Sequence, residues 1–128
     1  IDRVLVDAPC SGLGTLRRHP DLKWRQSPQM VKAAAATQAA ILAGAARLLK
    51  PGGRLVYTTC SLLVAENEAV ADAFTASDGQ QFEPVPAALA LETGRVADVQ
   101  ALVSGSYLRL WPHVHRTDGF FAAVWQRR

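Results

Sequence analysis

Three side chains in this chain have the types and spacing to do chemistry together: Asp7, Cys10 and Cys60. A thiolate is the strongest nucleophile a protein offers near neutral pH. A carboxyl group beside it can hold or donate a proton on a substrate nitrogen. A second thiol can serve as a base or as a resolving group. Methylation of carbon 5 of a pyrimidine is one reaction that uses all three. Carbon 5 attacks a methyl donor only after a thiolate has added to carbon 6 and a proton has been placed on the ring nitrogen. A base then removes the proton from carbon 5, and the enzyme thiolate leaves.

Both cysteines follow strand-like runs. Val4-Leu5-Val6 leads into Asp7-Ala8-Pro9-Cys10-Ser11-Gly12, and Arg54-Leu55-Val56-Tyr57-Thr58-Thr59 leads into Cys60-Ser61. Branched apolar runs that stop abruptly at Pro, Cys and Gly predict short buried strands ending at a rim, and ligands of open α/β sheets bind just beyond such ends. Between them Ser27-Pro28 starts a helix, with Ser as the cap and Pro in the first turn. Met30, Ala34, Ile41, Ala45 and Leu48 predict its inward face, and Lys50-Pro51-Gly52-Gly53 ends it. Strand, helix and strand predict a crossover between parallel neighbours, roughly 4.8 Å apart, with Cys10 and Cys60 facing each other at one rim. Past Cys60 the pattern predicts a helix over 64–76, with Glu66 and Glu68 in its first turn, and a short strand over 82–85. Residues 86–105 read as a loop with one helical turn, 107–112 as strand-like, and 120–125 as a final strand. That strand can pair antiparallel with 107–112 or with 82–85.

The chain has 128 residues, 49% hydrophobic and 20% charged, which suits one globular domain rather than a disordered segment. The uncharged run from Ala33 to Ala46 falls short of the ~20 residues of a membrane span, and nothing reads as a signal peptide. The expectation is a soluble, cytoplasmic protein with no membrane partner. No Met leads the chain and a strand begins almost at once. This predicts a piece of a longer protein in which 4–7 is an exposed edge strand, a surface through which two copies can dimerise. The net charge of +3 sits in Arg17, Arg18, Lys23 and Arg25 against Asp21, a local patch that suits an anionic partner. His19 and Trp24 in the same loop suit phosphates and stacked bases. Gly12 and Gly14 lack the third glycine of a dinucleotide fingerprint. The two cysteines show no zinc spacing, so no metal is expected. A thiol-disulfide enzyme and a non-catalytic RNA-binding module are the alternatives. The missing Cys-x-x-Cys, and an Asp three residues before Cys10, speak against the first.

Asp7-Ala8-Pro9-Cys10-Ser11-Gly12, the loop Arg17-Arg18-His19-Pro20-Asp21-Leu22-Lys23-Trp24, Gln38, Lys50-Pro51-Gly52-Gly53, Tyr57-Thr58-Thr59-Cys60-Ser61, Glu66-Asn67 and Asp118-Gly119-Phe120-Phe121 together resemble the Sun (nucleolar-protein/Sun) family of RNA cytosine-5 methyltransferases, nearest to its bacterial ribosomal RNA branch. The resemblance runs over residues 2–76 and again over 107–125. It implies an α/β fold: the C-terminal half of a Rossmann-like class I methyltransferase sheet, with parallel strands, a helical crossover and an antiparallel last strand. It implies ribosomal RNA as partner and S-adenosyl-L-methionine as cofactor. Cys60 would be the nucleophile and Cys10 the residue that releases the product. Asp7 would stand between methyl donor and pyrimidine, with the Pro9 backbone near the exocyclic amine. Arg17, Arg18, His19, Lys23 and Trp24 would lie against RNA, joined on charge by Arg25, and His115 and Asp118 would line the rim. The family's Gly-rich donor loop has no counterpart here, so Asp7 would be one wall of an incomplete donor site.

Overall fold

Strand β1 (Arg3–Asp7) runs parallel to β2 (Arg54–Thr59), with Val4 opposite Leu55 and Asp7 opposite Thr58. Alternation then puts Val4, Val6, Leu55 and Tyr57 on one face and Leu5 and Val56 on the other. The computed structural model describes residues 1–128. Between the two strands come α1 (Leu22–Arg25), a single turn, and α2 (Pro28–Ala46). As the sequence predicts, the Ser27 side chain accepts the Met30 N–H at 3.2 Å, with Pro28 in the first turn. The Pro51-Gly52 turn that follows needs φ +80° at Gly52, a left-handed value for which glycine carries no steric penalty.

Beyond β2 lie α3 (Glu68–Asp78), β3 (Phe82–Val85), α4 (Ala87–Thr93), α5 (Val99–Leu102), β4 (Val103–Ser104), β5 (Tyr107–Leu110), α6 (Pro112–His115) and β6 (Phe120–Arg127). The sheet order is β1-β2-β6-β5-β4, with β3 also on β6. Both predicted partners of the last strand are found, end to end along one side of it: Leu108 faces Ala122 and Val85 faces Val124, each antiparallel. On its other side β6 pairs antiparallel with β2, Thr59 against Phe121.

One core holds the layers together. Leu42, Ala46 and Leu49 from the α2 segment and Val70, Ala71 and Phe74 from α3 meet Val6, Leu55, Tyr57, Phe121, Ala123 and Trp125 of the sheet. Phe74 packs edge-on against Trp125 at 4.9 Å between ring centres, a favoured aromatic geometry. On the opposite face Ala90, Thr93 and Gly94 of α4 share a groove with Leu5 and Val56. The edge strand therefore has unequal faces: Val6 is buried and Leu5 is 67% exposed.

Three expectations need correction. The inward face of α2 is rotated by about one residue, because Gln38 is fully buried and with Leu42 and Ala46 forms that face. Met30, Ile41 and Leu48 are exposed instead, and of the predicted set Ala45 packs against the core. The helix expected over 64–76 is a tight turn at Val64–Glu66 followed by α3, broken at Asn67, where φ is −113° and ψ −97°. Glu66 and Asn67 turn their side chains under the strand ends, which a continuous helix would not allow. Residues 86–105 form two helices and a short strand. Ala87, Ala88, Leu89, Ala90 and Leu91 are good helix formers, started by Pro86 and stopped by Gly94. No helix is long and apolar enough to cross a membrane.

Candidate active site

Parallel pairing of β1 with β2 carries both following turns to the same rim, where the Cys10 and Cys60 sulfurs lie 3.5 Å apart and half-buried. The backbone of that rim is laced. Ala8 N–H donates to Thr58 O at 2.9 Å, Gly14 N–H to Cys60 O at 2.8 Å, and Gly119 N–H to Gly14 O at 2.7 Å. Three segments far apart in sequence thus fix the main chain around Cys60.

The two thiols are not equivalent. The Cys60 thiol is pulled down to about 7, chiefly by a hydrogen bond from Cys10 and also by its own backbone N–H, against burial and the charges of Asp7 and Asp118. Cys10 is pushed far up by the same bond and by burial. Of the two, Cys60 is the sulfur that ionises, near neutral pH, and Cys10 is the thiol that then donates to it. Alkylation of Cys60 by iodoacetamide is therefore expected to rise through about pH 7, and Cys10 to react only in strong alkali. Peptide mass spectrometry across a pH series checks this. Both cysteines titrating together at the ordinary thiol value of about 8.5 would refute it.

Behind the sulfurs lies a buried polar layer. Glu66, with no exposed surface, accepts the Ser11 N–H at 2.8 Å, the Ser11 hydroxyl at 2.7 Å and the Ser61 hydroxyl. Gln38 Nε2 donates to Pro9 O at 2.9 Å and reaches Glu66 at 3.3 Å. Tyr57 donates to Glu66 O at 2.6 Å, and burial raises its phenol above the ordinary value. Asn67 bonds the Thr59 hydroxyl and donates to Ser61 O at 2.9 Å. Arg109 is 5% exposed and lies 4.4 Å over the Trp111 ring. It donates to Leu62 O at 2.9 Å and pairs with Glu68 at 3.3 Å; burial lowers its guanidinium, with Glu68 opposing. The sequence assigns no function to Arg109, and it marks Glu66 as a first-turn acid and as part of the Glu66-Asn67 family motif without giving it a role. The signal that points to Glu66 is the repeat of Cys-Ser after both strands.

Of the remaining predicted residues, Asp7, Arg17, Arg18, His19, Lys23, Trp24 and Arg25 are exposed, and His115 and Asp118 are half-buried. Asp7 is exposed at the end of β1, held by one long bond from Thr58 Oγ1 at 3.4 Å. Its carboxylate makes no closer hydrogen bond within the chain. Arg17 and Arg18 both grip Asp118, with Nε–O distances of 2.7 and 2.8 Å, and this pair holds the Asp118 carboxyl below its usual range. Arg25 pairs with Asp21 at 2.9 Å. The basic patch is thus neutralised further than its own loop implies, because Asp118, from outside residues 17–25, adds to Asp21. Lys23 lies 4.9 Å over the ring of Trp24, which is 80% exposed; His19 is exposed beside them. His115 has both ring nitrogens engaged away from the cysteines, one accepting Trp111 N–H at 2.9 Å and the other meeting Ala101 O at 2.6 Å. No group of three His, Cys, Asp or Glu is placed to hold a metal ion.

Residues 1–126 match the family described as 16S rRNA methyltransferase RsmB/F. A relative from Synechocystis named "Probable ribosomal RNA small subunit methyltransferase B" is 43% identical over 96% of this chain and 26% of its own length. Ribosomal RNA small subunit methyltransferase F of Aeromonas salmonicida is 39% identical over 95% of this chain and 25% of its own. The crystal structure of NSun6 from Pyrococcus horikoshii with SFG superposes with a TM-score of 0.73, at 27% identity, over 96% of this chain and 29% of that one. The chain spans about a quarter of the length of the curated relatives it matches. Its sheet, with the parallel pair, the helical crossover and the antiparallel last strand, is of the Rossmann-like class I methyltransferase kind. The chain belongs to the RsmB/F family of 16S rRNA methyltransferases.

Proposed function

We propose that the protein carrying this chain methylates carbon 5 of a cytosine in small-subunit ribosomal RNA, using S-adenosylmethionine, through a covalent adduct between Cys60 and carbon 6. The observation that carries the reading is the thiol pair at 3.5 Å, with one sulfur made acidic by the other. Cys60 adds to carbon 6, forming the S–C bond while the ring double-bond pair moves towards carbon 5. Asp7, exposed at the same rim, holds the proton on the ring nitrogen and so makes carbon 5 nucleophilic. S-adenosylmethionine, when bound, supplies the electrophilic methyl group, and Asp7 is the residue of this chain placed to meet it. Once Cys60 is a thioether, Cys10 no longer shares its proton with a thiolate; it gives that proton to solvent and, as the thiolate, takes the proton from carbon 5. The freed pair re-forms the ring double bond and expels Cys60 as its thiolate, and the ring-nitrogen proton returns to Asp7. Lys23 and Trp24 offer a cation and an exposed ring to an RNA strand, and Arg17 and Arg18, from the same loop, add charge partly balanced by Asp118. Phosphates attract the first and bases stack on the second. A cytoplasmic location goes with a ribosomal RNA substrate.

The test is transfer of a labelled methyl group from S-adenosylmethionine to small-subunit ribosomal RNA by the full-length protein, with the product nucleosides resolved by mass spectrometry. Label in 5-methylcytidine is expected. Label in any other nucleoside refutes the reading.

A further inference from the structure

We propose that Glu66 is a positioning residue that sets the separation of the two thiols. The proposal rests on Cys10 and Cys60 being the reacting pair, but its own content is geometric. Each cysteine is followed by a serine, and both serines end on the same carboxylate. Ser11 is bound twice, through its N–H at 2.8 Å and its hydroxyl at 2.7 Å, and Ser61 once through its hydroxyl. The hydroxyls themselves lie 3.4 Å apart, and each closes its own turn by accepting an N–H two residues on, from Leu13 at 3.4 Å and Leu63 at 3.0 Å. Gln38 adds a third tie, joining Pro9 O to the same carboxylate. The residues flanking both sulfurs are therefore anchored to a single group with no exposed surface.

That arrangement answers a specific problem. The turns after β1 and β2 are fifty residues apart in sequence and leave the sheet where ladder hydrogen bonds end. Past that point one main-chain bond joins the two turns directly, Gly14 N–H to Cys60 O at 2.8 Å, and it leaves the side of the turns that carries Ser11 and Ser61 untied. A buried carboxylate can accept several hydrogen bonds at once, and charge-assisted bonds of this kind are short and directional. One acceptor shared between the two serines adds the tie on that side and makes the two turns one rigid body. The thiol-to-thiol hydrogen bond, and with it the acidity of Cys60, follows from that spacing.

The test uses the full-length protein and its variants Glu66→Gln, Ser61→Ala and Ser11→Ala/Ser61→Ala, with the state of Cys10 and Cys60 read by peptide mass spectrometry. Glutamine matches the shape but turns an amide NH2 towards the serine hydroxyls. For folded Glu66→Gln, judged by circular dichroism, the midpoint of Cys60 alkylation is expected to rise by about one pH unit, a tenfold fall in thiolate at neutral pH. Closure of a Cys10–Cys60 disulfide by diamide is expected to slow about tenfold as the sulfurs separate. Ser61→Ala shifts both readouts the same way by less, and combining it with Glu66→Gln adds nothing, because the two share one interaction. A folded Glu66→Gln with unchanged midpoint and closure rate overturns the proposal, as do additive effects. If Glu66→Gln does not fold, the double serine variant decides: slowed closure supports the proposal and wild-type closure overturns it. None of these readouts uses RNA. A wrong assignment of the methyl-transfer chemistry therefore shows as loss of 5-methylcytidine formation while the thiol readouts still behave as stated.

Discussion

Cys60→Ala is expected to end covalent capture of an RNA bearing 5-fluorocytidine, and Cys10→Ala to create a lasting adduct with ordinary RNA. Fluorine at carbon 5 cannot be removed as a proton, so the wild-type enzyme stops at the adduct and stays attached through carbon 6. Without Cys60 there is no sulfur on the β2 turn to add, and Cys10 sits on the other turn, 3.5 Å from the position of the attacking sulfur. With Cys10→Ala addition and methylation remain possible, while removal of the carbon 5 proton loses its base. General bases of this kind contribute about 10²–10⁴-fold, so release slows from turnover to hours and the RNA migrates with the protein on a denaturing gel. The double variant should capture nothing. The assay needs the full-length protein and both RNAs. Capture by Cys60→Ala, or normal turnover by Cys10→Ala, would reverse or remove the assigned roles.

The second large effect concerns a residue with no side chain. A methyl group at Gly14 would stand 2.5 Å from Cys60 O and 2.5 Å from Gly119 O, both main-chain atoms. Neither can move without breaking the two hydrogen bonds that Gly14 makes with the same residues, at 2.8 and 2.7 Å. Overpacking of this kind and the bonds lost with it together cost roughly 3 kcal/mol or more. For a chain of this size that lowers the melting temperature by roughly 10 °C. Gly44 provides the contrast: it lies inside α2 and a methyl group there meets nothing within 4 Å. Gly44→Ala should therefore stabilise by about 0.5–1 kcal/mol. Calorimetry on the two variants checks both signs, and equal melting temperatures would contradict the steric account.

The sequence made the rim legible because strand ends are written locally. Apolar runs stopped by Pro-Cys and Thr-Cys, with a capped helix between, suffice to bring Cys10 beside Cys60. The buried polar layer was not legible in the same way. Gln38 points inward because Pro9 O and Glu66 need a donor, and a pattern built on apolar spacing assigns such a residue to solvent. The same error rotated the whole face of α2, leaving Ile41 and Leu48 outside. Glu66 fits a helix start on dipole grounds, so its burial beneath two serines left no trace in local propensity. Arg17 and Arg18 counted as free charge until the fold brought Asp118 to them from a hundred residues away. In each case the deciding partner is distant in sequence, and only tertiary structure supplies it.

The placement of β6 has a consequence for the newborn chain. The strand that carries Cys60 is flanked by β1, made before it, and by β6, made roughly sixty residues after it. At translation speeds of roughly 5–20 residues per second, that interval lasts roughly 3–12 s. During it Gly119 has not arrived to clasp Gly14, and β2 has a single neighbour. The strand that carries Cys60 thus gains its second neighbour, and the rim its Gly119–Gly14 clasp, only when the last strand has been made. Until then the edge of β2 is open to pairing with another nascent chain.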